Sequence, residues 1–345
     1  MITILILILF LLFPAIQLKA CTTFALKKND AILLAKNLDW STGEGFIVTN
    51  QANVSKKAIL FGEQPQLRWK SKYNSITFNL LGKDFPLGGI NEHGLVIEEM
   101  NYSPSEYPSR NRYNLNEFQW IQYHLDQCRN IDEVLSSCDT INIRPFLAKL
   151  HYMLCDASGN VAIIEYLKEN MKIYRGKDLI VPVLTNNSYP NSIKYLRFHQ
   201  GFGGNRKVSN SPQSPERFVR TATLNKKLFN NDNRQTISQA FSILDSVKQH
   251  NTQWQIIYEI TDRKIYFQTK LDSARKIIDF DSVDFLGPIQ IMFINCENCS
   301  PKHSQFENYT KEKNNLLIKT VLGKLIEAQE ISSSRANELM LKLLR

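Results

Sequence analysis

The sequence predicts an α+β domain. Apolar runs of strand length come in two sets, one between residues 21 and 102 and one between 151 and 185, and segments with helical apolar spacing stand between and after them. There is no internal repeat and no long low-complexity linker. The chain has 345 residues, 43% of them hydrophobic and 22% charged, a composition that buries a substantial core.

The first set opens with Cys21 to Leu26 and Ala31 to Asn37, separated by the polar turn Lys27-Lys28-Asn29-Asp30. The return strand carries Lys36-Asn37-Leu38-Asp39-Trp40 back toward the start of the first, which sets Asp39 beside Cys21. Further strands are expected at 46–50, 75–80 and 85–90, and the turn Asn91-Glu92-His93-Gly94 leads into Leu95 to Tyr102. Helices are expected over 115–127 and 131–137, with Asn114 and Asn130 as N-caps. The second set runs through His151 to Asp156, Val161 to Glu165, Met171 to Arg175 and Ile180 to Thr185. Helical spacing recurs near 191–199, 215–229 and 236–248, and a hairpin at Gln253 to Ile260 and Lys264 to Thr269 follows. The tail from about 315 to 344 reads as amphipathic helix with a fresh N-cap among Ser332-Ser333-Ser334.

An apolar stretch, Ile2 to Leu18, stands in front of Cys21 with Ala20 at the junction. It is shorter than the roughly 20 residues of a spanning helix and reads as a cleaved export signal covering 1–20. Cleavage would give Cys21 both a thiol and a free α-amine, and an amine titrating at about 7.7 to 8.0 is able to act as base to its own thiol. Two other readings of Cys21 stand open. Leu18-Lys19-Ala20-Cys21 fits a lipoprotein box, which would acylate the amine and anchor the chain, and a buried structural thiol is common.

The formal charge is +9, and loss of Lys19 with the leader leaves +8. The basic residues are scattered and accompany no helix-turn-helix, finger or aromatic RNA-binding signature, so nucleic acid is not an expected partner. No second apolar run of spanning length follows the leader. Of the other cysteines (128, 138, 155, 296 and 299), Cys296-Glu-Asn-Cys299 has the spacing of half a metal site without a second ligand pair, so no metal or cofactor is expected.

Six motifs in order carry a resemblance. They are Cys21-Thr22-Thr23-Phe24, Asn37-Leu38-Asp39-Trp40, Gly89 to Leu95 with Met100-Asn101-Tyr102, Asp156-Ala157-Ser158-Gly159, Leu184-Thr185-Asn186-Asn187, and Ser214-Pro215-Glu216-Arg217-Phe218. The chain resembles the choloylglycine hydrolase and penicillin V acylase family of N-terminal-nucleophile hydrolases from Cys21 to about Thr269. The resemblance implies a four-layer αββα sandwich forming one catalytic domain over 21–345, with a helical tail from about 309, that hydrolyses linear amides of small N-acyl substrates. It implies Cys21 as nucleophile, Asp39 as its orienting carboxylate, Asn101 and Asn186 as oxyanion donors and Arg217 as a fixed cation favouring the thiolate. Lys36 stands where most members carry arginine, keeping the charge and losing the planar fork. Phe24, Trp40, Tyr102 and Tyr189 adjoin the motifs as candidates for an acyl pocket. Both Asn101-Tyr102-Ser103 and Asn186-Asn187-Ser188 also fit the glycosylation pattern, a reading that excludes the catalytic one. Some members assemble as tetramers through the segment before the arginine, so a homo-oligomer is open.

Overall fold

The computed structural model describes residues 21–62, 65–109, 112–229, 236–295 and 305–344. The leader and the Cys296/Cys299 pair lie outside them.

The chain opens with the hairpin β1 (Thr22–Lys28) and β2 (Ala31–Asp39), whose register pairs Thr22 with Asn37 and Lys28 with Ala31. Its two-residue turn places Asn29 at φ 52°, a left-handed conformation that asparagine tolerates. After β3 (Gly45–Asn50), the short ribbon β4 (Ser55–Lys57) and β5 (Arg68–Lys70) precedes a meander of β6 (Ser75–Asn79), β7 (Pro86–Asn91) and β8 (Val96–Asn101). Asn91 closes the β7–β8 turn by accepting from the His93 and Leu95 N–H groups through its side chain. β9 (Tyr113–Leu115) leads into α1 (Glu117–Gln127) and α2 (Ile131–Ser137), and β10 (Ile141–Ile143) returns parallel to β9. The N-cap of α1 is Asn116 and not Asn114, because Asn116 accepts from the N–H groups of Phe118 and Gln119. Asn130 caps α2 as expected, accepting from Glu133.

The second strand set is β11 (Leu150–Cys155), β12 (Val161–Leu167), β13 (Asn170–Arg175) and a two-residue β14 (Val183–Leu184). Three helices follow, α3 (Tyr189–Leu196), α4 (Ser214–Phe229) and α5 (Thr236–Ser246). Then come β15 (Thr252–Glu259), β16 (Lys264–Thr269), β17 (Lys276–Asp279), β18 (Gln290–Ile294) and β19 (Glu307–Asn308). The tail is two helices, α6 (Lys311–Glu327) and α7 (Ser333–Leu343), the second capped by Ser332.

Apart from the β4–β5 ribbon and the β9–β10 pair, these strands make two large sheets, one in the order β14-β1-β2-β15-β16-β17 and the other β13-β12-β11-β8-β7-β6-β3-β18-β19. The sheets meet where β1 faces β8, and the Thr23 hydroxyl donates to the Met100 sulfur at 2.7 Å. Helices α4 and α5 cover the outer face of the first sheet against β1, β2 and β15, and α1 covers the second against β7 and β8. The result is an α+β sandwich of two sheets between helical layers, as the motifs imply.

Candidate active site

Cys21 stands at the mouth of β1 and is 3% exposed, with its Sγ 4.0 Å from the Asp39 carbonyl. Hairpin register brings them together, since pairing Thr22 with Asn37 leaves Cys21 and Asp39 just beyond it. Burial pushes the Cys21 thiol up to about 12, and nearby Glu99 adds to the shift while Lys36 opposes it. In the chain with residues 1–20 attached, this sulfur is a protonated thiol whose neighbouring nitrogen is an amide.

Asp39 is fully buried, and its Oδ1 accepts from the Thr252 hydroxyl on the paired strand β15 at 2.5 Å. Its Oδ2 is buried with no hydrogen-bond partner among the described residues. Burial raises the Asp39 carboxyl to about 6, against the opposing pull of Arg217, Thr252 and Lys36.

Arg217 sits in the first turns of α4 and is 1% exposed. Its guanidinium donates to the Cys21 carbonyl at 2.7 Å, the Thr22 hydroxyl, the Asn186 Oδ1 at 3.0 Å and the Pro212 carbonyl at 3.0 Å. Burial lowers it to about 10, partly offset by Asp39 and Cys21, so the group stays charged at neutral pH. This planar fork is the piece that gathers the site, since one rigid cation touches Cys21, the first residue of β1 and the loop after β14.

Asn186, held by Arg217, donates from Nδ2 to the Asn101 carbonyl at 2.9 Å. One of its two amide hydrogens is thereby used and one is left over. Asn101 ends β8, and its Oδ1 accepts from Ser103 at 3.2 Å. Among the described residues its own amide N–H has no acceptor. A cavity of about 10 Å³, room for one small molecule the size of water, lies against Cys21, Asp39, Trp40, Glu99 and Asn101. An acyl group enters there only when these walls part.

The other expected residues divide. Trp40 lines that cavity, with its indole N–H donating to Glu330 at 2.7 Å. Tyr102 is 8% exposed next to Asn101 and stacks on His151 at 5.0 Å. Lys36 does not touch Asp39 through a hydrogen bond but forms a buried pair with Glu98 at 2.7 Å and Glu99 at 3.1 Å. Burial works against its charge, and the two carboxylates outweigh it and hold the ammonium above its ordinary value. Phe24 and Tyr189 lie in packed interior rather than at the cavity. Alternation along β1 puts Phe24 on the face of Thr22, which α4 covers, and the Tyr189 hydroxyl is tied to the Val181 carbonyl at 3.0 Å while its ring packs on Tyr174 and Phe218. Sequence reasoning missed Glu98, Glu99, Thr252 and Glu330. For the first two a signal existed, because a lysine in an apolar strand needs a buried counter-charge.

Residues 21–299 match the linear amide C-N hydrolases of the choloylglycine hydrolase family. The chain belongs to that family. The match begins at Cys21, the residue on which the geometry converges. A penicillin V acylase of Pectobacterium atrosepticum is 27% identical over 224 residues, 59% of this chain and 59% of that protein, so the chain matches under two thirds of that relative's length. In shape it is similar to a penicillin V acylase from Agrobacterium tumefaciens, with a TM-score of 0.69 and 24% identity over 79% of this chain and 91% of the other. A mutant conjugated bile acid hydrolase from Clostridium perfringens gives a TM-score of 0.66 at 19% identity, covering 83% and 100%. Both likenesses show the sandwich fold. The family match ends at residue 299, before α6 and α7.

Proposed function

We propose that the chain is an exported amidohydrolase in which removal of residues 1–20 frees Cys21 as an N-terminal nucleophile. The observation that carries this reading is the Arg217 fork on the Cys21 carbonyl and Asn186, with the unpartnered Asp39 Oδ2 buried nearby. A freed α-amine is a fitting donor to that oxygen, and the positive charge it gains on taking the thiol proton would draw the thiol down from about 12.

The thiol proton passes to the α-amine as Sγ attacks the amide carbonyl of a small N-acyl substrate. The spare Asn186 hydrogen and the Asn101 amide then donate to the oxyanion. Collapse of the adduct breaks the C–N bond, and the leaving amine takes the proton from the α-ammonium. Water then gives a proton to the α-amine and attacks the thioester, releasing the acid and the thiol. Substrates of the relatives, penicillin V and conjugated bile acids, mark the chemical range to try.

The test is a mass spectrum of the exported protein, followed by turnover of penicillin V, glycine-conjugated and taurine-conjugated bile acids and long-chain N-acyl amides. A chain beginning at unmodified Cys21, an acyl adduct on it, and loss of turnover in folded Cys21→Ser are the expected results. A diacylglyceryl group on Cys21 or full activity in Cys21→Ser would overturn the reading. Acyl transfer to an added amine in preference to water would make the chain a transferase.

A further inference from the structure

A cavity of about 740 Å³ lies not at Cys21 but at the other end of β1. Its walls are apolar, formed by Leu26, Ile32, Leu179, Val183, Phe202 and Ala222, and its volume is in the range of small-ligand sites. Three cations and no carboxylate stand among its lining residues. Arg175 is paired with Asp132 at 2.6 Å, but exposed Lys27 and Lys226 donate to neutral backbone carbonyls, those of Ser158 and Gly201, each at 2.9 Å. Asn225, 5% exposed, also lines the cavity. Its Nδ2 is fixed by the Ala25 carbonyl at 2.9 Å, while its Oδ1 is buried without a partner among the described residues. A buried acceptor left unsatisfied costs about 1 to 3 kcal/mol, so a ligand that brings an N–H gains there.

We propose that this cavity is a second ligand site, separate from Cys21, for an anionic N-acyl amphiphile. Its acyl chain lies on the apolar walls, its amide N–H donates to Asn225 Oδ1, and its carboxylate meets Lys27 and Lys226. The site shares a seam with the nucleophile, since Asn225 holds the Ala25 carbonyl as Arg217, two turns earlier on α4, holds that of Cys21.

Calorimetric titration of the Cys21→Ser chain, which removes the nucleophile, tests this with N-dodecanoylglycine, N-dodecanoylsarcosine and dodecyltrimethylammonium as probes. A saturable N-dodecanoylglycine site is expected, distinct from occupancy of the Cys21 site in that the cavity variants below remove it. The sarcosine analogue, which lacks the amide hydrogen, binds about tenfold more weakly, and the cation does not bind. Lys27→Glu/Lys226→Glu and, at a residue 56% exposed at the mouth, Ile180→Glu each weaken N-dodecanoylglycine at least tenfold while circular dichroism stays native. Unchanged affinity in both variants places the probe elsewhere and overturns the proposal, as does equal binding of the cation. A dimer that Ile180→Glu dissociates, with no amphiphile bound, makes the cavity an interface between copies and overturns it too.

Discussion

Arg217 binds through geometry as much as charge, because its guanidinium serves the Cys21 carbonyl, Thr22, Asn186 and Pro212 together. A lysine in its place keeps one cation and loses the fork, so Asn186 swings out of register with Cys21. Arg217→Lys is expected to keep the fold and lose about 100-fold in kcat/KM, as misplacement by an ångström does; near-native kinetics would show that the charge alone matters. Lys36 is different, since it neutralises Glu98 and Glu99 in the interior. Lys36→Met strands two buried carboxylates and is expected to cost about 3 to 5 kcal/mol in urea unfolding, where Lys36→Arg costs far less. At this scale Cys21, Asp39, Asn101, Asn186 and Arg217 were legible as residues because each falls in an ordered motif. Phe24 and Tyr189 were not legible as packing groups, because adjacency in sequence does not say which face of a strand, or which end of a helix, a ring occupies. Thr252 was invisible for another reason: it reaches Asp39 only through a strand pairing 213 residues apart.

Among the elements, the β1–β2 hairpin could be read from its turn residues, α2 and α7 from periodicity and caps, and α1 from periodicity with its cap misplaced by two residues. Strands β17 and β18 escaped because a four-residue edge strand and a five-residue strand with mixed burial show no clean alternation. The order of the nine-stranded sheet, in which β18 pairs with β3, depends on partners that sequence order does not announce. The tail helices matter beyond packing. Glu330, just past α6, takes the indole N–H of Trp40, which lines the cavity at Cys21, and Lys324 of α6 pairs with Glu44. A region outside the family match thus sets one wall of the site. Glu330→Gln weakens a charge-assisted bond and is expected to change KM for bulky acyl groups severalfold with kcat for small ones kept. If KM is the same for every acyl length, α6 and α7 serve packing alone.

Across the whole molecule, buried titrating groups pull stability in opposite directions with pH. His124 bridges α1 and α2, its ring nitrogens 2.7 Å from the Trp120 carbonyl and 2.7 Å from the Ser137 hydroxyl, and burial lowers it from 6.5 to about 4. The folded state therefore holds this ring neutral where the unfolded chain protonates it. Its contribution is complete above pH 6.5 and is lost as pH falls through about 4, a loss on the order of 3 kcal/mol. Asp39 and Glu117 run the other way. Burial raises them to about 6 and about 7, so what they contribute is present in acid and is lost as pH rises through those values. Glu117 bears on the site because its carboxylate holds the N–H groups of Phe146, Leu147 and Ala148, and Ala148 lines the cavity at Cys21. Opposed slopes flatten the acid limb of the stability curve, and only a variant separates them. His124→Gln keeps a polar group in the α1–α2 seam without a proton to bind near pH 5. Its deficit against the native chain, measured by urea unfolding, is expected to shrink by up to about 3 kcal/mol between pH 7 and pH 4. A deficit that stays constant over that range would mean that His124 ionises as freely folded as unfolded, and that the helical layer over the second sheet is open to water at that seam.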